Sequence, residues 1–299
     1  MVALLEAFLI NPVSGNQANQ KGKEMPSKYR LIIFLLIFWL AGGQLDPAAG
    51  AEGNRLSPIV DRILAKKELV VGTAASMPPL NMTAKDGQVI GMEIDLVRLI
   101  ADNLEVKLTL RTMTFPELLP ALENGRVDMV ISGMTITPAR NLKVAFAGPY
   151  YGSGKSLLVK KANIDAMDKV AKVNNTDKVL VALKSSTSQI FAEKVFPKAK
   201  LILAEDYNQA ITMVRENKAQ AMVADQPICL VSVYRYPDAG LAALKNTLSY
   251  EPLGIAIQAN DFLWLNLLQN FITGMENSGE LRTLTDKWFK DASWVDLLR

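Results

Sequence analysis

From residue 68 onwards, two hydrophobic patterns alternate along the chain, one typical of buried strands and the other typical of amphipathic helices. Runs of consecutive apolar and β-branched residues at 68–73, 107–113 and 127–131 predict short strands. Apolar residues recur every three or four positions over 93–104, which predicts an amphipathic helix. The segment 114–117 reads Thr-Phe-Pro-Glu, a capping box, so we expect a second helix to begin there.

The same alternation resumes after residue 155. Its predicted elements are strands at 179–183, 200–203 and 221–224 and helices at 186–196 and 205–217. Alternation this regular favours largely parallel sheets flanked by helices, and hence an α/β fold. A last group comprises a strand at 253–257 and helices at 262–275 and 280–289. That group is too small to fold alone, so we expect it to pack on the first set of elements.

This packing divides the mature chain into two lobes. Lobe 1 is predicted to comprise residues 52–154 and 250–299, and lobe 2 to comprise residues 155–249. The chain then crosses between the lobes twice and forms a two-segment hinge. The cleft between the lobes becomes the expected binding site.

The composition argues against several classes of function. The 299 residues carry 33 Lys+Arg against 30 Asp+Glu, a formal net charge of +3 with no dense basic stripe, so no nucleic-acid partner is expected. Histidine is absent, which removes the commonest neutral metal ligand and the usual general base near pH 7. The single cysteine, Cys229, has no partner for an internal disulfide. Binding is therefore favoured over hydrolytic or metal chemistry, and we expect no cofactor.

Residues 25–51 have the three parts of a secretory signal peptide. A short basic segment precedes an uncharged apolar stretch of 11 residues, 31–41, and a small-residue segment ends at Ala51. The apolar stretch is shorter than the ~20 residues that a spanning helix needs, and an uncleaved anchor is the alternative. We expect cleavage after Ala51, a periplasmic protein, and Met25 as the natural start, with residues 1–24 as an extension ahead of it.

An ordered set of motifs resembles a known family. Residues 132–140 read SGMTITPAR and residues 146–151 read FAGPYY, and both look like the signature of family 3 periplasmic solute-binding proteins, the polar amino-acid receptors of ABC importers. Weaker matches lie at 71–73 and 91–96, and the resemblance covers residues 68–289. It implies a type II periplasmic binding fold with a discontinuous first lobe, a small-molecule ligand and an importer permease as partner. We expect a monomer.

An α-amino acid presents a carboxylate and an ammonium, and burying both requires a cation with N–H donors and an anion. Arg140 suits the carboxylate, because its planar guanidinium can grip both oxygens and because Thr137 and Pro138 predict a helix N-terminus beside it. The residues alone leave open that Arg140 is a solvated first-turn charge. The resemblance makes it the carboxylate-binding arginine.

Asp225 ends a predicted strand just before a predicted helix. A carboxylate there is either the helix N-cap or a ligand for a cation. The resemblance makes Asp225 the family aspartate that holds the ligand ammonium. Further contacts implied by the resemblance come from Gly133 and Thr135 in lobe 1 and from Thr187 and Ser188 in lobe 2.

The walls of the pocket are expected to select the ligand side chain. Phe115 matches an aromatic wall, with a core position at the start of a helix as the alternative, and Lys184 either reaches the ligand or faces water. Met77, Leu80 and Ala74 stand where many family members carry two aromatic residues and an acidic one. This apolar, adaptable wall argues against arginine, lysine or histidine as ligand and predicts a neutral or acidic amino acid.

An enzyme is the main alternative to a binding protein. Periplasmic cyclohexadienyl dehydratases share the fold and need a carboxylic acid in the cleft as proton donor, a role for which Glu93 and Glu251 are loose candidates. A sensory ligand-binding domain and a murein-cleaving version of the fold are further alternatives. We expect a binding protein without catalytic residues.

N-terminal sequencing of the exported protein tests the predicted signal peptide. We expect the mature chain to begin at Glu52, because the small-residue segment ends at Ala51. A mature chain that still contained residues 31–41 would show an uncleaved anchor instead.

Overall fold

The computed structural model describes residues 57–167, 169–291 and 293–298. The predicted extension at 1–24 and signal peptide at 25–51 lie outside the described residues. Among the helices that the structure describes, none is both long and apolar enough to span a membrane.

Strands and helices alternate along the described chain. The strands are β1 (Glu68–Thr73), β2 (Ser76–Met77), β3 (Asn81–Thr83), β4 (Val89–Ile90), β5 (Lys107–Thr112), β6 (Met129–Val130), β7 (Val144–Ser153), β8 (Lys155–Lys160), β9 (Val179–Leu183), β10 (Lys200–Ala204), β11 (Ala221–Asp225), β12 (Leu241–Ala243) and β13 (Glu251–Gln258). The α-helices are α1 (Pro58–Lys66), α2 (Met92–Asn103), α3 (Phe115–Glu123), α4 (Pro138–Asn141), α5 (Val170–Val173), α6 (Thr187–Val195), α7 (Tyr207–Arg215), α8 (Gln226–Arg235), α9 (Phe262–Ser278) and α10 (Glu280–Phe289). Short 3₁₀ helices cover Lys161–Ala166, Pro237–Ala239 and Ser293–Leu298.

Two five-stranded sheets form the framework. The first has the order β5-β1-β6-β13-β7, and the pairings make β13 the one strand that runs against the other four. The second has the order β10-β9-β11-β8-β12, with β8 reversed in the same way. Both sheets are therefore mostly parallel, as predicted. A small antiparallel sheet of β2, β3 and β4 follows β1.

Burial explains why the predicted elements form. Helix α2 turns Ile94, Val97 and Ile100 inward, each at most 1% exposed, which confirms the helical spacing of its apolar residues. At the start of α3, the Glu117 carboxylate accepts hydrogen bonds from the backbone N–H of Thr114 at 2.9 Å and from its hydroxyl at 2.6 Å. This contact satisfies a donor that the helix start leaves open.

β7 and β8 are the longest of the strands that the sequence pattern does not predict. Strand β8 begins with Lys155 and Ser156, and both side chains are fully buried. Because buried strands are expected to be apolar, two polar residues at the start of this one conceal it.

The chain passes between the sheets at Gly154, which joins β7 directly to β8, and returns over residues 244–250 to β13. The two passages touch each other. A Cβ added at Gly154 would lie 2.3 Å from the Ser249 carbonyl oxygen and 2.7 Å from the Cβ of Thr247. Glycine is therefore required for this close approach.

Substituting two glycines with alanine tests this contact. We expect Gly154→Ala to lower the free energy of unfolding by roughly 1–3 kcal/mol, because the added methyl meets backbone that cannot easily move aside. Gly274→Ala is the matched control, since nothing lies within 4 Å of a Cβ added there in α9. It should be stabilising by up to about 1 kcal/mol, because alanine is the better helix former. Urea unfolding followed by circular dichroism measures both, and equal stabilities would contradict the close approach.

Candidate functional site

A cavity lies between the two sheets. Its lining residues from the first-sheet side are Ala74, Ser76, Met77, Phe115, Ser132, Gly133, Thr135 and Arg140. Those from the second-sheet side are Leu183, Ser186, Thr187, Tyr207 and Asp225. Most of them lie at or just after the carboxyl ends of β1, β6, β9 and β11, the edge at which open α/β sheets bind ligands. The two sides meet where the hydroxyl oxygens of Thr135 and Thr187 lie 3.2 Å apart.

Arg140 brings a positive charge into the cavity from α4. The backbone N–H of Arg140 donates to the Thr137 hydroxyl at 3.2 Å, which confirms Thr137 as the predicted cap. Its guanidinium donates from Nη1 to the Thr135 carbonyl oxygen at 2.8 Å and lies 5.6 Å from the centroid of the Phe115 ring. Burial lowers the pKa of Arg140, against the attraction of Asp225. No carboxylate within the described ranges forms an ion pair with this guanidinium.

Asp225 lies on the opposite side of the cavity and is 3% exposed. Its side chain makes no hydrogen bond that would cap α8. Instead, Oδ2 accepts from the Lys155 ammonium at 3.1 Å, and Oδ1 accepts from the Ser153 hydroxyl at 3.1 Å. Of the two alternatives left open by the sequence, Asp225 is thus a ligand for a cation, and that cation belongs to this chain.

Lys155 is the cation, and it begins β8 directly opposite Asp225 in the antiparallel register. Its side chain is completely buried. Besides Asp225, the ammonium donates to the Thr187 hydroxyl at 2.7 Å and lies 3.5 Å from Oε2 of Glu251. A buried ammonium needs such partners, and these three oxygens match its three N–H donors.

Glu93 does not line the cavity itself but holds the lining residue Gly133 in place through a hydrogen bond. Its buried carboxylate accepts from the Gly133 N–H at 2.7 Å, from the Asn81 side-chain amide at 2.7 Å, and from the Tyr150 hydroxyl. Burial raises the pKa of Glu93, while these three hydrogen bonds act in the opposite direction. Gly133 has a φ of +59°, and a Cβ there would lie 2.3 Å from Sδ of Met77, so the turn requires glycine.

Seven of the nine predicted site residues line this cavity: Met77, Phe115, Gly133, Thr135, Arg140, Thr187 and Asp225. Lys184 lies outside it, on the surface, where its ammonium is 2.9 Å from the Glu205 carboxylate. Ser188 is fully buried and lies outside the lining. Of the predicted wall, Ala74 and Met77 line the cavity, whereas Leu80 is buried in the core. Contact with a ligand stays a prediction for all nine.

Sequence reasoning missed part of the lining and the cation behind it. The missed lining residues are Ser76, Ser132, Leu183, Ser186 and Tyr207. Tyr207 lies in the first turn of α7. Its pKa is raised well above the ordinary value, mainly because the side chain is buried and in second place because the negative charge of Asp225 is near. One feature of the sequence could have indicated Lys155, namely its position just before the apolar run at 157–159.

The chemistry of the cavity is that of binding through charge and hydroxyl groups. One side offers the Arg140 guanidinium, which pairs with no carboxylate that the structure describes, and the other offers the Asp225 carboxylate, ion-paired with Lys155, beside the Thr187 hydroxyl. Across the described part of the chain, no group of three or more His, Cys, Asp or Glu residues is placed to hold a metal ion. Burial raises the pKa of the Cys229 thiol, so this cysteine is not a ready nucleophile.

Two mostly parallel sheets joined by two passages around a cavity are the architecture of type II periplasmic binding proteins, which confirms the predicted fold class. The particular family follows from the sequence. Residues 69–291 match the model of the bacterial extracellular solute-binding proteins, family 3, and the chain belongs to that family.

Individual relatives cover most of the chain. The glutamine-binding protein of Geobacillus stearothermophilus is 30% identical in an alignment of 239 positions that covers 75% of this chain and 88% of that protein. The ABC transporter arginine-binding protein 1 of Escherichia coli (strain K12) is 25% identical in an alignment of 231 positions that covers 75% of this chain and 92% of that protein. A crystal structure of an ancestral amino acid-binding protein, a precursor of cyclohexadienyl dehydratase, is 35% identical with a TM-score of 0.71 and covers 77% of this chain and 98% of its own.

Removing the Tyr150 hydroxyl tests the support behind the cavity. We expect Tyr150→Phe to lower the free energy of unfolding by about 1–3 kcal/mol, because the buried Glu93 carboxylate loses a donor. Tyr250→Phe is the control, since Tyr250 is 70% exposed and its loss of a hydroxyl should change stability by less than about 0.5 kcal/mol. Chemical unfolding of the two variants at one pH provides the comparison, and a Tyr150→Phe variant as stable as the wild type would contradict this role.

Proposed function

We propose that this chain is an exported solute-binding protein that captures a small amino acid, neutral or acidic rather than basic, and delivers it to an ABC importer. Lobe 1 would comprise residues 52–154 and 250–299, and lobe 2 residues 155–249, with the hinge at the two passages between the sheets. The mature protein, cleaved after Ala51, acts in the periplasm as a monomer.

The observation that carries this proposal is the guanidinium of Arg140, which pairs with none of the carboxylates in the described part of the chain. A charge taken out of water is costly unless an opposite charge and hydrogen bonds compensate it. Arg140 uses one donor on the Thr135 carbonyl oxygen and makes no ion pair with the described carboxylates, so its remaining donors suit a ligand carboxylate. Membership in a family of solute-binding proteins supports the same reading.

The residues around the cavity favour a neutral or acidic side chain. Ala74, Met77 and Phe115 contribute an apolar wall on the first-sheet side. Asp225 is the one carboxylate among the lining residues, and it already pairs with Lys155. A cationic ligand side chain would therefore be buried without an anion of its own, which is unfavourable.

Closure of the two lobes provides the mechanism of capture. Arg140 approaches the cavity from one side and Thr187 from the other, and Thr135 meets Thr187 between them. A ligand that contacts both sides stabilises the closed arrangement by the difference between its affinities for the closed and open states. The importer would then recognise the closed, loaded protein.

The dehydratase alternative receives no support from the placement of its candidate acids. Glu93 is buried behind Gly133 and accepts three hydrogen bonds, and Glu251 pairs with Lys155. Neither belongs to the lining of the cavity. Binding is therefore the function that the site supports best.

Calorimetry on an arginine variant tests the proposal. A thermal-shift screen with the common amino acids first identifies a ligand, because a ligand of the folded state raises its apparent stability. We expect Arg140→Ala to weaken binding of that ligand by roughly 2–5 kcal/mol, since the ligand carboxylate loses its charged partner. The control is Arg282→Ala on the exposed face of α10, which should leave affinity unchanged. Unchanged affinity in the Arg140→Ala protein would rule out this assignment.

A further inference from the structure

The two charged groups that face the cavity differ in one respect. Arg140 has no anionic partner within the described residues, whereas Asp225 already holds a cation of this chain. Both carboxylate oxygens of Asp225 are engaged, one by the Lys155 ammonium and the other by the Ser153 hydroxyl, each at 3.1 Å. Arg140 is therefore suited to bind an anionic group of a ligand, whereas Asp225 is already paired with the Lys155 cation.

Lys155 is held firmly in this position. Its side chain is wholly buried, and its Cα lies opposite that of Asp225 in the pairing of β8 with β11. The ammonium also donates to Thr187 and has Glu251 at 3.5 Å. Because a buried lysine that gave up these oxygens would be left uncompensated, it does not readily yield its place to another ammonium.

A ligand ammonium at Asp225 would meet a second positive charge on the same carboxylate. Like charges that share one counter-ion in a buried site repel each other, and the low dielectric strengthens the repulsion. Glu251 offsets the charge of Lys155 in part, but it is the more distant carboxylate and does not line the cavity. The α-ammonium of an amino acid therefore gains less here than at an unpaired aspartate.

We propose that Lys155 substitutes for the ligand ammonium at Asp225. The cleft then binds carboxylic acids with an α-hydroxy or α-oxo group about as tightly as the corresponding amino acids. This inference rests on the proposed capture of a carboxylate by Arg140, and it names Lys155 as the residue that sets specificity at the α-position.

The hydroxyl groups of the cavity suit an oxygen at that position. Lysine has donors alone, so Thr187 accepts the hydrogen bond from Lys155 and keeps its own hydroxyl hydrogen to donate. In the structure this hydroxyl lies 3.2 Å from that of Thr135. An α-hydroxy group can accept from Thr187 and donate to Asp225, whereas an ammonium cannot accept at all.

Titration calorimetry on the wild-type protein tests the proposal without any variant. Matched sets that differ at the α-position are L-leucine with α-hydroxyisocaproate and α-oxoisocaproate, and L-glutamate with α-hydroxyglutarate and α-oxoglutarate. For a set that binds, we expect the Kd of at least one oxygen analogue to lie within about tenfold of that of the amino acid, or below it. An amino acid that binds more than tenfold tighter than both of its analogues would overturn the proposal.

A lysine variant tests the role of the charge itself. Lys155→Met removes the ammonium and keeps an unbranched apolar side chain as far as Cε, so the preference for the amino acid over its analogues should rise at least about tenfold. The control is Lys160→Met in the same strand, whose ammonium donates to the Ala239 carbonyl oxygen and which should keep the wild-type preference. A Lys155→Met protein with the wild-type preference would also overturn the proposal, and if that variant does not fold, the wild-type comparison decides.

These outcomes separate the inference from the function on which it rests. If amino acids bind and need Arg140 while their oxygen analogues do not bind, the inference alone fails. If neither the common amino acids nor any oxygen analogue binds, the proposed function fails, and the inference fails with it.

Discussion

The buried ion pair between Lys155 and Asp225 lies where the main parts of the structure meet. Lys155 opens β8 immediately after the first passage between the sheets, and Glu251, its second carboxylate, opens β13 at the end of the other passage. Asp225 ends β11 at the edge of the cavity. The ammonium of Lys155 thus lies close to the ends of both passages and to the lining of the cavity.

Such a pair is not explained by stability alone. Removing two charges from water costs several kcal/mol per ion, and well-packed apolar residues often serve as well or better in the same place. Removing one partner, in contrast, leaves an uncompensated charge and is strongly destabilising. A buried lysine beside a cavity is therefore more readily understood as a feature of ligand selection than as a stabilising device. Arg140, which has no ion-pair partner among the residues that the structure describes, points in the same direction, because its burial has a cost that a ligand carboxylate would offset.

The sequence predicted the elements whose pattern is local. The bounds of β1 and β9 agree with the runs of apolar residues at 68–73 and 179–183, and the capping box at the start of α3 is present. Arg140 and Asp225 were predicted as site residues from the family resemblance, because the local pattern alone also allowed a solvated charge and a helix N-cap. Lys155 was not, because its role depends on pairing with a strand 70 residues further along the chain, and no local pattern encodes that register. Its burial also runs against the rule that lysines lie at the surface.

The direction of the strands explains why the charges gather at this edge. The first three strands of each sheet run parallel, so their carboxyl ends meet at one edge, whereas β8 and β13 run against them and therefore begin near that edge. Residues at the starts of the reversed strands consequently face those at the ends of the parallel ones. Lys155 and Glu251 begin the reversed strands β8 and β13, and Asp225 ends the parallel strand β11. Lys155 therefore lies between two carboxylates, Asp225 at the end of a parallel strand and Glu251 at the start of the other reversed strand, where the two sheets and the cavity meet.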